Sequence, residues 1–184
     1  MESAFVSATG ASGAPYAVRL TETLVENDVL SEVCASDIGE IGGLSNRKLA
    51  ETHCVKRYAS DDFFAPPVSS TSGPGAIMVA PTSVATLGNI ANGTGTNLLH
   101  RVADVALKER KQLVILGCEM PYTLVHLKNV VAITDAGDTM ISAASAFDNH
   151  PLGPVENVAK LVVDRVCWTR QVRRSYEVTE RWRP

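Results

Sequence analysis

Residues 4–13 read Ala4-Phe5-Val6-Ser7-Ala8-Thr9-Gly10-Ala11-Ser12-Gly13, a short apolar run that stops at a turn of small residues. Behind it the apolar positions Tyr16, Val18, Leu20, Leu24 and Val25 fall at helical spacing. Strand, small-residue turn and helix form the opening unit of a parallel α/β sheet. The later chain repeats the theme. Val29–Cys34 reads as a second strand, and Ser36–Ala50 as a helix that Gly39, Gly42 and Gly43 weaken. Ala76–Ala80 and Leu113–Leu116 are apolar runs of strand length, suited to a sheet buried on both faces. A helix is expected to begin after Pro81-Thr82-Ser83, and Asn97–Arg110 is helical by pattern. Another helix follows Pro121, which suits a first-turn position. Thr139–Ala144 is a further strand candidate, and Val155–Val172 a closing helix.

Strands alternating with helices imply one parallel sheet with right-handed crossovers, whose ligands bind outside the carboxyl ends of the strands. The expected domain runs over residues 1–172, with a basic tail at 173–184. At 184 residues the chain is long enough to bury a core of its own. Its 45% hydrophobic and 20% charged content and net charge of −3 give no global pull towards nucleic acid or membrane. The start Met1-Glu2-Ser3 carries no basic, apolar leader, and Cys34, Cys54, Cys118 and Cys167 are scattered as reduced thiols would be. These features predict a cytoplasmic protein. No HExxH, CxxC pair or GxSxG occurs, so no metal site is expected.

Three segments lie at the expected carboxyl edge: 9–13, 81–86 and 117–122. Gly10, Ala11 and Ser12 let backbone N–H groups approach an anion at a helix N-terminus; a plain structural turn fits that segment equally. Ser83 and Thr86 present hydroxyls three residues apart, as a helix cap or as phosphate donors. Glu119, just past a buried strand, is placed to exchange protons with a ligand. Arg101 and Lys108 stand two turns apart on one helix face. His126 and His150 read as structural or exposed. Ser60–Gly75, with three prolines, is a long loop, and Phe63-Phe64-Ala65-Pro66-Pro67-Val68 is too apolar for free solvation. That segment is expected to pack on another subunit.

Taken together, Thr9-Gly10-Ala11-Ser12-Gly13, Ala65-Pro66-Pro67, Pro81-Thr82-Ser83-Val84-Ala85-Thr86-Leu87, Asn97-Leu98-Leu99, the run Arg101–Arg110, Glu119-Met120-Pro121 and His126-Leu127 resemble the flavin prenyltransferase family. The resemblance spans residues 5 to about 170 in the family's order. It implies a Rossmann-like or flavodoxin-like three-layer α/β fold, FMN as cofactor and a homododecamer. It further implies transfer of a dimethylallyl group from dimethylallyl phosphate to N5 and C6 of reduced FMN, the product serving a partner decarboxylase. Gly10, Ala11, Ser12, Ser83 and Thr86 would contact FMN. Glu119, Lys108 and Arg101 would be catalytic, with Lys108 and Arg165 on the prenyl-phosphate side, partly across subunit contacts.

Four positions depart from the family pattern. Cys118 stands where the family usually has arginine, Asp148 where a phosphate-binding tyrosine is usual, and Asp61 where asparagine is common. Cys34, with Ser36 nearby, aligns with a flavin-contacting serine. Alternative readings are an FMN-binding paralogue with redox or flavin-handling chemistry, a flavin-dependent cysteine decarboxylase, and a non-catalytic flavoprotein subunit.

Overall fold

The computed structural model describes residues 3–36 and 54–143. The expected helices over 36–50 and 155–172, the 173–184 tail, Asp148, His150, Arg165 and Cys167 fall outside them. Six parallel strands form one sheet: β1 (Ser3–Ala8), β2 (Leu30–Ala35), β3 (Val55–Tyr58), β4 (Ala76–Thr82), β5 (Gln112–Gly117) and β6 (Thr139–Ser142). Their order is β3-β2-β1-β4-β5-β6. This is the doubly wound Rossmann order, with its reversal between β1 and β4, rather than the flavodoxin order.

Among the described residues four helices accompany the sheet: α1 (Ala14–Glu26), α2 (Val84–Ala91), α3 (Leu98–Lys108) and α4 (Leu124–Ala136). The strand pleat sends alternate residues to opposite faces. Ala4, Val6, Met78, Val114 and Leu116 meet Leu20 and Leu24 of α1. Phe5, Ile77, Val79, Leu113 and Ile115 meet Leu87 of α2, Leu98, Leu99 and Val102 of α3, and Ile133 of α4. Helix, sheet and helices make the three layers.

Local chemistry sets the helix ends. Pro15 sits in the first turn of α1, where no N–H is needed. The side chain of Asn97 caps α3 by accepting the His100 N–H at 2.9 Å. α4 starts later than the sequence suggests. Thr123 is its cap, accepting the His126 N–H, while the His126 ring accepts the Thr123 N–H in return. Pro121 therefore lies in the preceding turn rather than in the helix, and His126 is structural, as expected. β3 has no counterpart among the expected strands; its edge position and four-residue length left it without an apolar run.

Residues 60–75 are the expected loop, with one short 3-10 turn at Pro66–Val68. Ala65 and Pro67 are buried, whereas Phe64 is 97% exposed. At the far end of this loop the Ser69 and Pro67 carbonyls crowd Gly73, where a Cβ would stand 2.4 Å from the Ser69 oxygen.

Candidate active site

Three strand-to-helix turns meet at the carboxyl edge. Thr9 ties the first to the second. Its N–H and its hydroxyl both donate to the Pro81 carbonyl at 3.1 Å, and its Oγ1 accepts the Ser83 N–H at 2.7 Å. Sequence alone does not single out Thr9; the one signal for it is a hydroxyl residue directly after the apolar run of β1.

The first turn leaves Gly10 and Ser12 exposed and turns over at Gly13, whose φ of 114° belongs to glycine. A Cβ there would also stand 2.6 Å from the Tyr16 ring. In the second turn Ser83 caps α2: its Oγ accepts the Thr86 N–H at 3.3 Å and lies 3.1 Å from the Thr86 hydroxyl. Neither α1 nor α2 carries an acidic residue in its first turn. Two helix N-termini, small residues and hydroxyls converge, a chemistry suited to the phosphate of a nucleotide.

The third turn is different. Thr82 pairs with Gly117 across β4 and β5, and the Thr82 backbone N–H faces the Cys118 sulfur. The Cys118 Sγ also lies 3.3 Å from the position a Gly13 Cβ would occupy. Cys118 thus sits where all three turns touch. Burial first, then the neighbouring Glu119, pushes its thiol up to about 12. It is a neutral thiol at physiological pH and no nucleophile. Glu119 is half-buried and shares a narrow crevice with Val84, Leu87, Tyr122 and Met140. Burial, then Cys118 and Glu119, raises the Tyr122 phenol above its usual range, keeping it protonated.

The structure does not unite every expected site residue within one chain. Cys34 is only 1% exposed and packs in the core with residues of α2 and α3. The strand's inward pleat at that position is the cause, and Ser36, at the strand end with its N–H on the Ala8 carbonyl, is nearer the edge. Arg101 is exposed and paired with Asp104 at 2.7 Å. Lys108 lies at the end of α3, on Glu109 and the Ser70 hydroxyl, beside the amino ends of β4 and β5. A helix returning to start the next strand runs antiparallel to the sheet, which places its last residue opposite the site. The turns 9–13, 81–83 and 117–122 contain no lysine or arginine.

The doubly wound sheet, with an anion-suited cradle at the strand-order reversal, defines the class of nucleotide-binding α/β proteins. The Flavoprotein family model matches residues 2–167. Flavin prenyltransferase UbiX of Methanocaldococcus jannaschii is 39% identical over 168 residues, covering 88% of this chain and 89% of that protein. The chain therefore belongs to the Flavoprotein family and, within it, to the UbiX-type flavin prenyltransferases. A dodecameric FMN-dependent UbiX-like decarboxylase from Escherichia coli O157:H7 superposes with a TM-score of 0.88 at 30% identity, covering 99% of both chains. AnUbiX (PadA1), solved in complex with FMN and dimethylallyl pyrophosphate, superposes with a TM-score of 0.86 at 28% identity, covering 100% of this chain and 98% of that one. Among the described residues no helix is long and apolar enough to cross a membrane.

Proposed function

We propose that this chain binds FMN and joins a dimethylallyl group from dimethylallyl phosphate to it. The carrying observation is the meeting of the two phosphate-suited turns with Glu119 at one sheet edge. Gly10, Ala11 and Ser12, with Ser83 and Thr86, would hold the flavin phosphate and ribityl end. Thr9 fixes the spacing of their two turns. Cys118 would border the flavin as a neutral contact.

When bound and reduced, FMN supplies the nucleophilic N5 and C6 positions; the prenyl ester supplies the electrophile, its phosphate leaving with the C–O electron pair and a proton. Glu119 would hold or move that proton as an acid/base. Ionisation of an allylic phosphate in a poorly hydrated site needs cations near the departing oxygen. Lys108 from a second copy, Arg101 and Arg165 would provide them, with Asp148 at the same phosphate.

A homododecamer is part of this reading, because among the described residues the three turns of the site carry no lysine or arginine. Support comes from Phe64, and from the exposed Met120, Leu124, Val125, Leu127 and Val131 along the third turn and α4, an apolar face that another copy would cover. Delivery of the product to a prenylated-FMN-dependent decarboxylase and a cytoplasmic setting belong to the same proposal; the free thiols of Cys34, Cys54 and Cys118 agree with the latter.

The test is anaerobic incubation of the reduced, FMN-loaded protein with dimethylallyl mono- and diphosphate, followed by the mass and absorption spectrum of the released flavin. A mass increase of one prenyl unit is expected. Unmodified FMN with both esters would favour a second reading, a flavoprotein that has left prenyl transfer, which the neutral Cys118 in place of arginine specifically supports.

A further inference from the structure

His100 is buried and belongs to none of the three turns. It stands in the first turn of α3, one residue before Arg101. Its Nδ1 accepts the Thr96 N–H at 3.3 Å and lies 3.2 Å from the Thr96 hydroxyl. A backbone N–H can only donate, so Nδ1 has no proton and the neutral ring carries its hydrogen on Nε2. That nitrogen is buried with no hydrogen-bond partner among the described residues.

The contact closes a ring of backbone bonds around Arg101. Asn97 accepts the His100 N–H at 2.9 Å with its side chain and the Arg101 N–H at 3.1 Å with its carbonyl. The Leu98 N–H donates to the Ser60 carbonyl at 2.8 Å, which anchors the start of α3 just past the carboxyl end of β3. Gly95 folds back over this turn: a Cβ there would stand 3.7 Å from the His100 Cβ and 3.8 Å from the Arg101 nitrogen. Thr94 ties the same loop to Asn89 of α2, and Thr96 ties it to His100 of α3.

Protonation would undo the second tie. A proton on Nδ1 makes the acceptor a donor aimed at the Thr96 N–H, beside the positive end of α3 and away from water. Among the described residues no carboxylate is placed to offset it. The loop 92–97 and the Pro66–Val68 turn carry no charge. Asp61 and Asp62 are exposed, Glu32 of β2 accepts the Tyr58 hydroxyl at 3.0 Å, and Asp104 is held by Arg101. Burial is what acts on the ring, and it makes the imidazole less basic than usual. An unfolded chain takes up this proton more readily than the folded one. The capped, neutral form is therefore favoured at neutral pH and loses ground as the pH falls below about 6.5, the ordinary value for the ring.

We propose that His100 is a positioning residue for Arg101: the neutral ring holds the first turn of α3 in place for the prenyl phosphate, and acid releases it. This rests on the prenyl-transfer reading above, in which Arg101 serves the departing phosphate. The cradle at Ser83 and Thr86 lies at the other end of α2 and is unaffected.

The experiment titrates dimethylallyl phosphate into the assembled, FMN-loaded protein in its oxidised form, at about pH 7.5 and about pH 5.5. His100→Gln is measured alongside, since a glutamine amide oxygen near a helix start accepts the same kind of N–H without titrating. The ester's own ionisation is common to both proteins, so the difference between them reads the ring. His100→Gln should match wild type at the higher pH, and wild type should lose about fivefold more affinity on acidification, the scale of one hydrogen bond. Hydrogen exchange over residues 92–101, corrected for intrinsic rate, should rise in acid in wild type and not in His100→Gln. FMN affinity should respond to pH equally in both. His100→Leu, with no acceptor, should behave at the higher pH as wild type does in acid. Equal acid losses of ester affinity in wild type and His100→Gln, with product still formed, overturn the role of His100 and leave prenyl transfer standing; exchange that does not differ between them overturns it as well. A wild-type protein that binds no ester at either pH and forms no prenylated flavin overturns both. Should His100→Gln fail to fold, His100→Asn takes its place on the same expectations.

Discussion

The β4–α2 turn and the β5–α4 turn lie side by side at the same sheet edge, yet they are built on opposite principles. In the first, the polar groups are tied within the chain: the Thr82 hydroxyl donates to the Val79 carbonyl at 2.7 Å, Ser83 caps its helix, and Thr9 bridges from the neighbouring turn. In the second, a neutral thiol and a carboxylate sit next to Met120, 81% exposed, and to a helix whose Leu124, Val125 and Val131 face outward. One turn is tied down by hydrogen bonds; the other, among the described residues, presents apolar side chains at the surface. The pairing separates two tasks. Holding a flavin phosphate would call for a rigid, prebuilt cradle, whereas gathering a prenyl ester would call for cations, and the turns 9–13, 81–83 and 117–122 contain none.

The sharpest way to break that separation is Glu119→Gln. If the two turns are functionally distinct, the variant keeps its FMN affinity while single-turnover formation of prenylated flavin falls by about a hundredfold or more, the usual scale for a positioned acid or base. Loss of FMN binding in this variant would mean that the turns form one undivided site. Ser83→Asp probes the other half. Aspartate still caps a helix, so α2 should persist in circular dichroism, but its carboxylate would face the flavin phosphate. FMN affinity should drop by about tenfold to a hundredfold, since a like charge in a partly buried site costs on the order of 1–3 kcal/mol. Unchanged affinity would place the phosphate elsewhere.

Legibility in the sequence follows the same division. The first turn and β1, the second turn and β4 were readable because their signals are local: apolar runs of strand length that end at Gly10 or at Pro81-Thr82-Ser83. The placement of Tyr122 was not readable, because it comes from the packing of its hydroxyl over Gly117, a contact between turn positions that no period marks. Cys34 lies in β2 as expected, and its burial was not readable, since alternation along a strand buried on both faces carries no apolar/polar contrast. Lys108 was read correctly as helical, but the antiparallel return of α3 carries it to the opposite edge of the sheet.

A more modest test converts one turn towards its relatives. Cys118→Arg puts a guanidinium at the point where the three turns meet, next to Glu119. It should tighten dimethylallyl phosphate binding by about tenfold, as one added charge-assisted hydrogen bond would. FMN affinity should change little, because the cradle at Ser83 and Thr86 is untouched. A guanidinium that weakens the ester instead would show that this chain's pocket has been rebuilt around the thiol rather than merely depleted.

The smallest expected effect lies at the other edge of the sheet, where Asp138 joins α4 to β6 and gives the contrast a control free of ligand. Its side chain is buried, and among the described residues neither carboxylate oxygen has a hydrogen-bond partner at bonding distance. Burial pushes the carboxyl from 3.8 up to about 7, and the Thr139 backbone N–H lowers it only in part. An unfolded chain sheds this proton near its ordinary pKa, while the folded chain keeps it to about 7. Asp138 therefore favours the folded state most at pH below about 4, loses that advantage as pH rises towards 7, and leaves an uncompensated buried charge above it. Asp138→Asn removes the titration but keeps the shape. It should raise the melting temperature at pH 8 by a few degrees, corresponding to about 1 kcal/mol in a domain of this size, and do little at pH 4. FMN affinity should be the same in both proteins at each pH. An equal shift at pH 4 and pH 8 would mean that the carboxylate is not the cause. A change in FMN affinity would mean that the two edges of the sheet are coupled, contrary to a cradle closed by its own hydrogen bonds.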